Sequence, residues 1–177
     1  MTSAPFPPPS LAPYISQIAA LLTERKQKVA VAETAAGGLI SASLLSVPGA
    51  SAYYAGGITT YTLASRIELC GFTQEDFVGY KGPTPAIVEK LAKNTRGKLD
   101  AAYAIAESGT AGPGATPPTA TPGYVALAIA TPSGVVSKEL KTGQDDRAAN
   151  MVLFAEEALK FFLQVLTEET AGRKTAL

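Results

Sequence analysis

The run Val29-Ala30-Val31-Ala32 passes without a break into Glu33-Thr34-Ala35-Ala36-Gly37-Gly38 and then into LISASLLS. Four apolar residues are too few for a helix, and they lack the polar alternation of a half-exposed strand. They read as a strand buried on both faces, the kind found in parallel sheets covered by helices. The small residues that follow suit a tight turn, and the next segment reads as a helix ended by Pro48-Gly49. Strand, turn and helix in that order point to a layered α/β domain.

The rest of the chain fits this reading. Leu11, Ile15, Ile18, Ala19 and Leu22 recur at helical spacing up to Arg25. Ser51–Tyr61 is rich in Tyr, Ile and Thr and reads as a strand, with Gly56-Gly57 marking a bulge or a close approach. Helices are expected over 62–70, in a short piece from Thr73, and from Pro83 to about Arg96. Ala101–Ala106 reads as a strand that runs into a glycine-rich loop, and 112–123 as a Gly/Pro/Thr loop. Tyr124–Ala130 and Val135–Leu140 form a hairpin turning at Pro132-Ser133-Gly134. A last helix spans 145–166. The expected fold is a single α/β/α layered domain with a mixed central sheet over residues 14–168. The Pro-rich segment 1–13 precedes it as a tail, and a loose tail of 169–177 follows.

Composition removes several functional classes. The chain of 177 residues has no histidine and one cysteine. A Ser-His-Asp triad, a Cys-His pair and a His-ligated or multi-thiolate metal site are therefore not available within it. No cofactor or metal is expected. Fifteen Lys+Arg balance fifteen Asp+Glu, which argues against broad electrostatic binding to nucleic acid or an anionic membrane. No apolar run is long enough for a membrane span, and the N-terminus lacks the pattern of a secretory signal. A cytoplasmic protein is the expectation, and its apolar composition and Tyr-rich strand suggest self-association as a dimer or higher homo-oligomer.

Two loops follow expected strands and are dense in glycine and hydroxyl residues: Glu33–Gly38 and Glu107–Gly114. Ligands of α/β sheets bind beyond the carboxyl ends of strands, where glycine lets the backbone approach and helix N-termini offer free N–H groups. Thr34, Gly37, Gly38, Gly109, Thr110 and Gly112 are the binding candidates on these loops. Glu33 ends a buried strand, where a charge is costly unless paired. It serves either the chemistry or the backbone N–H groups of its own turn.

Five strings occur in one order: Ala32-Glu33…Gly37-Gly38, Pro48-Gly49-Ala50-Ser51-Ala52, Thr59-Thr60-Tyr61, Ser108-Gly109-Thr110-Ala111-Gly112-Pro113 and Asp146-Arg147. Together they resemble the CinA C-terminal domain family over nearly the whole chain after residue 13. The resemblance implies a nicotinamide-nucleotide amidohydrolase, which converts the carboxamide of nicotinamide mononucleotide to a carboxylate and ammonia with a serine-lysine site. Carried over residue by residue, it implies Ser51 as nucleophile, Tyr61 and Ser108 as hydroxyls at the reacting centre and Arg147 as a phosphate contact. The implied partner is a small nucleotide substrate.

The sequence departs from the family pattern in two places. Where the family has E-S-C-T-G-G, this chain has Glu33-Thr34-Ala35-Ala36-Gly37-Gly38. The family's lysine position is Arg66, and a guanidinium does not give up its proton near neutral pH as a buried lysine can. The runner-up expectation is therefore a nucleotide-binding module of the same fold. Lys81 and Lys138 are the alternative bases. Read without the resemblance, Ser51 begins a strand, Tyr61 belongs to a core or interface, Arg66 is a solvated helix charge and Cys70 is core. Arg147 just after two acids at a helix start runs against the dipole, which favours a functional role.

Overall fold

A computed structural model describes residues 5–114 and 121–175, leaving aside the side chains of 173–175. Five helices surround one sheet: α1 (Ala12–Arg25), β1 (Val29–Glu33), α2 (Leu39–Leu45), β2 (Tyr54–Thr59), α3 (Leu63–Cys70), α4 (Pro85–Lys98), β3 (Tyr103–Thr110), β4 (Tyr124–Thr131), β5 (Gly134–Lys141) and α5 (Arg147–Thr175). The sheet order is β2-β1-β3-β4-β5. β1 runs parallel to β2 and β3, and β4 and β5 are antiparallel additions, so the sheet is mixed as expected.

The V-A-V-A pattern now has a physical meaning. Successive strand residues point to opposite faces, and here the two faces differ in size. Val29, Val31, Tyr103, Ile105, Val125, Leu127 and Ile129 form one core with α1, α2 and α5. The other face is all alanine over the central strands: Ala30, Ala32, Ala104, Ala106, Ala126, Ala128 and Ala130. Val88, Leu91 and Ala92 of α4 pack against it, together with Cys70 and Phe72.

Several boundaries differ from the sequence expectation. Ser51 does not begin a strand; it lies in a single 3-10 turn, Ala50–Ala52, that follows Gly49 at φ +86°. Tyr53 is buried and donates its hydroxyl to the Leu44 carbonyl, which anchors this turn to α2. β3 is longer than expected because β4 pairs with it as far as Thr110, so Glu107, Ser108, Gly109 and Thr110 are strand residues rather than loop. α5 runs on to Thr175, through most of the segment expected as a loose tail. α1 starts at Ala12 with Leu11 fully buried, so the expected leader is already packed at its end. The hairpin turn is where expected, held by the Ser133 N–H donating to Thr131 Oγ1 at 3.1 Å. Residues 115–120 of the Gly/Pro/Thr loop lie outside the described residues.

Candidate active site

The parallel strands β1, β2 and β3 end together, and a cleft of about 440 Å³ opens above their carboxyl ends. Thr34 and Ala35 come from the turn after β1, and Tyr61, Thr62 and Leu63 from the segment after β2. Gly109–Gly112 come from the end of β3, with Arg66, Tyr80 and Arg147 closing the walls. This is the size and placement of a small-molecule site in an open α/β sheet, roughly 300–1,000 Å³.

The floor is set by strand register. Ala32 pairs with Ala106, so Thr34 and Ser108, two residues further on, lie side by side. Thr34 Oγ1 donates to Ser108 Oγ at 3.2 Å, and both residues are buried. Arg66 reaches the same point from α3. Thr62 caps that helix by accepting the Ser65 N–H, and Arg66 and Cys70 are its buried residues, one helical turn apart on one face. Cys70 sits in the alanine-side core, so Arg66 is drawn inward over the strand ends. It is only 5% exposed, not the solvated charge its helix position suggests. Its NH2 donates to Ser108 Oγ at 3.3 Å, its NH1 to Tyr80 Oη at 3.2 Å, and its Nε has no partner.

Two carboxylates lie beneath this floor, both fully buried. Glu33 accepts the N–H groups of Ile40 and Ser41 and the Ser41 hydroxyl, so it holds the N-terminus of α2. Of its two expected roles, this is the backbone one. Glu107 Oε2 accepts the N–H groups of Thr34 and Ala36 at 3.0 and 2.9 Å, while Oε1 has no partner. Burial pushes the Glu107 carboxyl up from 4.5 to about 7; the two N–H groups and Arg66 pull it back, and Glu33 raises it further.

At the opposite wall Arg147, the first residue of α5, donates from NH1 to the Gly112 carbonyl at 3.1 Å. Its guanidinium lies 6.0 Å over the ring of Tyr61, which is 72% exposed. Asp146 accepts the Ala149 N–H and so caps the helix, which leaves Arg147 to turn toward the cleft. Gly112, at φ +97°, packs so tightly on Asp145 that a Cβ would overlap the Asp145 carbonyl. Gly109 is equally confined, since a Cβ there would come within 2.8 Å of the Tyr124 carbonyl.

The structure thus brings Thr34, Tyr61, Arg66, Ser108, Gly109, Thr110, Gly112 and Arg147 together. Ser51 does not join them. It precedes β2, whereas the cleft lies past that strand's far end, about 20 Å away at roughly 3.3 Å per residue. Gly37 and Gly38 shape the turn rather than line the cleft, and the Gly37 backbone faces Met151. Lys138 pairs with Glu157 on β5 and α5, and no lysine lines the cleft among the described residues. Tyr80 and Glu107 were not singled out from sequence. Tyr80 comes from an irregular segment without a motif. Glu107 carried a signal, a charge closing an apolar run, the same signal that drew attention to Glu33.

Among the described residues no group of three or more His, Cys, Asp or Glu could hold a metal ion, and no helix is long and apolar enough to cross a membrane. The chain is similar to the CinA-like proteins of Flavobacterium psychrophilum (36% identity over 138 residues, 75% of this chain and 33% of that protein) and Shewanella woodyi (39% over 120 residues, 68% and 28%). It spans about a third of the length of these curated relatives. The fold matches the competence/damage inducible protein of Agrobacterium tumefaciens with a TM-score of 0.83 at 26% identity, covering 90% of this chain and 97% of that one. A CinA superfamily protein from Enterobacter cloacae matches with a TM-score of 0.83 at 19% identity, covering 88% and 92%. The family model described as the CinA C-terminal domain matches residues 12–166, and the chain belongs to that family.

Proposed function

We propose that the cleft binds a pyridine mononucleotide and holds it without hydrolysing its carboxamide. The family resemblance supplies the ligand class, and Arg147 suits its phosphate, because the planar guanidinium fork matches phosphate oxygens. One observation carries the lack of turnover. Arg66 occupies the floor beside Thr34 and Ser108, where the resemblance implies a lysine that can shed its proton. A guanidinium stays charged at every pH the fold would experience, so it can fix a hydroxyl but not deprotonate one.

A second reading is favoured by the Thr34–Ser108 hydroxyl pair, hydrogen-bonded at 3.2 Å on the floor of the cleft. In it the Thr34 hydroxyl attacks the carboxamide carbon and passes its proton to Ser108 Oγ, to which it is hydrogen-bonded, while the Ser108 proton moves to the leaving nitrogen. Ammonia leaves, and water then hydrolyses the resulting ester. One experiment separates the two. Calorimetric titration with nicotinamide mononucleotide is paired with an ammonia assay on the same sample. Saturable binding with no ammonia above a Thr34→Ala control supports the binding reading. Ammonia that disappears in Thr34→Ala overturns it in favour of the second, and the absence of binding overturns both.

A further inference from the structure

Arg66 is a buried cation with no carboxylate hydrogen-bonded to it among the described residues. Its two hydrogen-bond partners, Ser108 Oγ and Tyr80 Oη, are both neutral. No carboxylate lies within 4.0 Å of it among the described residues, although ion pairs form elsewhere on the chain. Of the five N–H donors of a guanidinium, two are engaged, and Nε is buried without any acceptor. A charge removed from water in this way is costly unless something pairs with it. Glu107, whose carboxyl Arg66 holds down, spends Oε2 on the Thr34 and Ala36 amides, makes no hydrogen bond through Oε1 and is not among the residues facing the cleft.

The lining shares this bias. Arg66 and Arg147 are its only charged residues among those described; the rest are Thr, Tyr, Gly, Ala, Leu and Pro. The two guanidiniums are held on separate walls, one by Ser108 and Tyr80, the other by Gly112 and the Tyr61 ring. Because the two guanidiniums are fixed by different partners, each can take an anionic group of its own. A carboxamide offers Arg66 a neutral carbonyl and, on its other side, an NH₂ that the guanidinium repels. A carboxylate offers two acceptor oxygens and the missing charge.

We propose that this cleft is built for a ligand with two separated anionic groups, a phosphate and a carboxylate, so that among pyridine mononucleotides it selects the one whose ring carries a carboxylate over the one that carries a carboxamide. The proposal rests on the mononucleotide reading above and specifies its ligand. Arg66 is then the residue that sets specificity, and the substitution of arginine for lysine converts an amide-processing position into an acid-reading one.

The test is competitive calorimetry with the two mononucleotides, identical except for carboxamide or carboxylate, on the full chain at fixed ionic strength. The acid is expected to bind about tenfold more tightly or better, the gain of a charge-assisted pair over a neutral one. Arg66→Met is expected to bring the two affinities together, chiefly by weakening the acid. Equal binding, or tighter binding of the amide, by the unaltered chain overturns this proposal while leaving the mononucleotide reading in place. Binding of neither overturns both. The unaltered chain decides the matter by itself should Arg66→Met fail to fold. If it does fold, an acid preference that survives in it also overturns the assignment to Arg66.

Discussion

Replacing Glu107 by Gln isolates the cost of burying a carboxylate under the cleft. Burial moves this carboxyl from 4.5 to about 7, against the pull of the Thr34 and Ala36 amides and of Arg66. The folded chain therefore keeps the Glu107 proton to higher pH than the unfolded chain does. The contribution to stability is fully present below about pH 4.5 and is lost as pH rises through about 7. At about 1.4 kcal/mol per pH unit, the loss across that window is about 3 kcal/mol. Gln keeps an acceptor for the two amides but does not ionise, so Glu107→Gln escapes the loss. Its other consequences, such as a new N–H near Arg66, do not vary with pH. Urea denaturation of both proteins at half-unit steps from pH 4.5 to 8.5 is the assay. The stability difference is expected to shift in favour of Gln by about 3 kcal/mol over this range, with most of the change between pH 5 and 7. A difference that stays flat with pH would refute the reasoning, because Glu107 would then titrate alike in both states. A shift in the opposite sense would mean that the amides and Arg66 outweigh burial.

Two further outcomes follow from the placement of single residues. Ser51→Ala is expected to leave mononucleotide affinity within about twofold, since the residue lies at the other end of β2; a large loss in the titration would place Ser51 in the site after all. Gly109→Ala is expected to destabilise the fold by about 1–3 kcal/mol in urea denaturation, because its Cβ would meet Phe154 at 2.7 Å and the Tyr124 carbonyl at 2.8 Å. An unchanged midpoint would show that β3 and β4 can separate there without cost.

Much of the fold was legible because local signals agreed. V-A-V-A followed by small residues could serve only a buried strand and a tight turn, and the Thr131–Gly134 spacing could serve only a hairpin. The site was legible where strand ends define it: Thr34, Ser108, Gly109 and Gly112 follow from knowing which strands are parallel. Ser51 failed for the complementary reason. Its nucleophile role came from the resemblance alone, while chain order already put it before β2 and the cleft lies past that strand's end. Arg66 was visible as an altered position, but its burial was not. A helix of eight residues gives too weak a periodicity to tell its inward face from its outward one. Glu107 hid in the extension of β3, since pairing with a later antiparallel strand is not written in the strand's own residues.

The alanine face of the sheet has a consequence for how this protein can change over time. Seven positions on three strands are held to the smallest side chain with a Cβ, so that α4 can lie close against them. The valine, isoleucine and leucine face opposite can exchange one branched residue for another at nearly constant volume. On the alanine side every enlargement moves a helix, and there is nothing left to trim. The segment that enters α4 carries Tyr80, the partner of Arg66. Mutational drift in this domain is therefore one-sided: it can proceed quietly beneath α1, α2 and α5, whereas drift beneath α4 is felt at the Arg66 guanidinium.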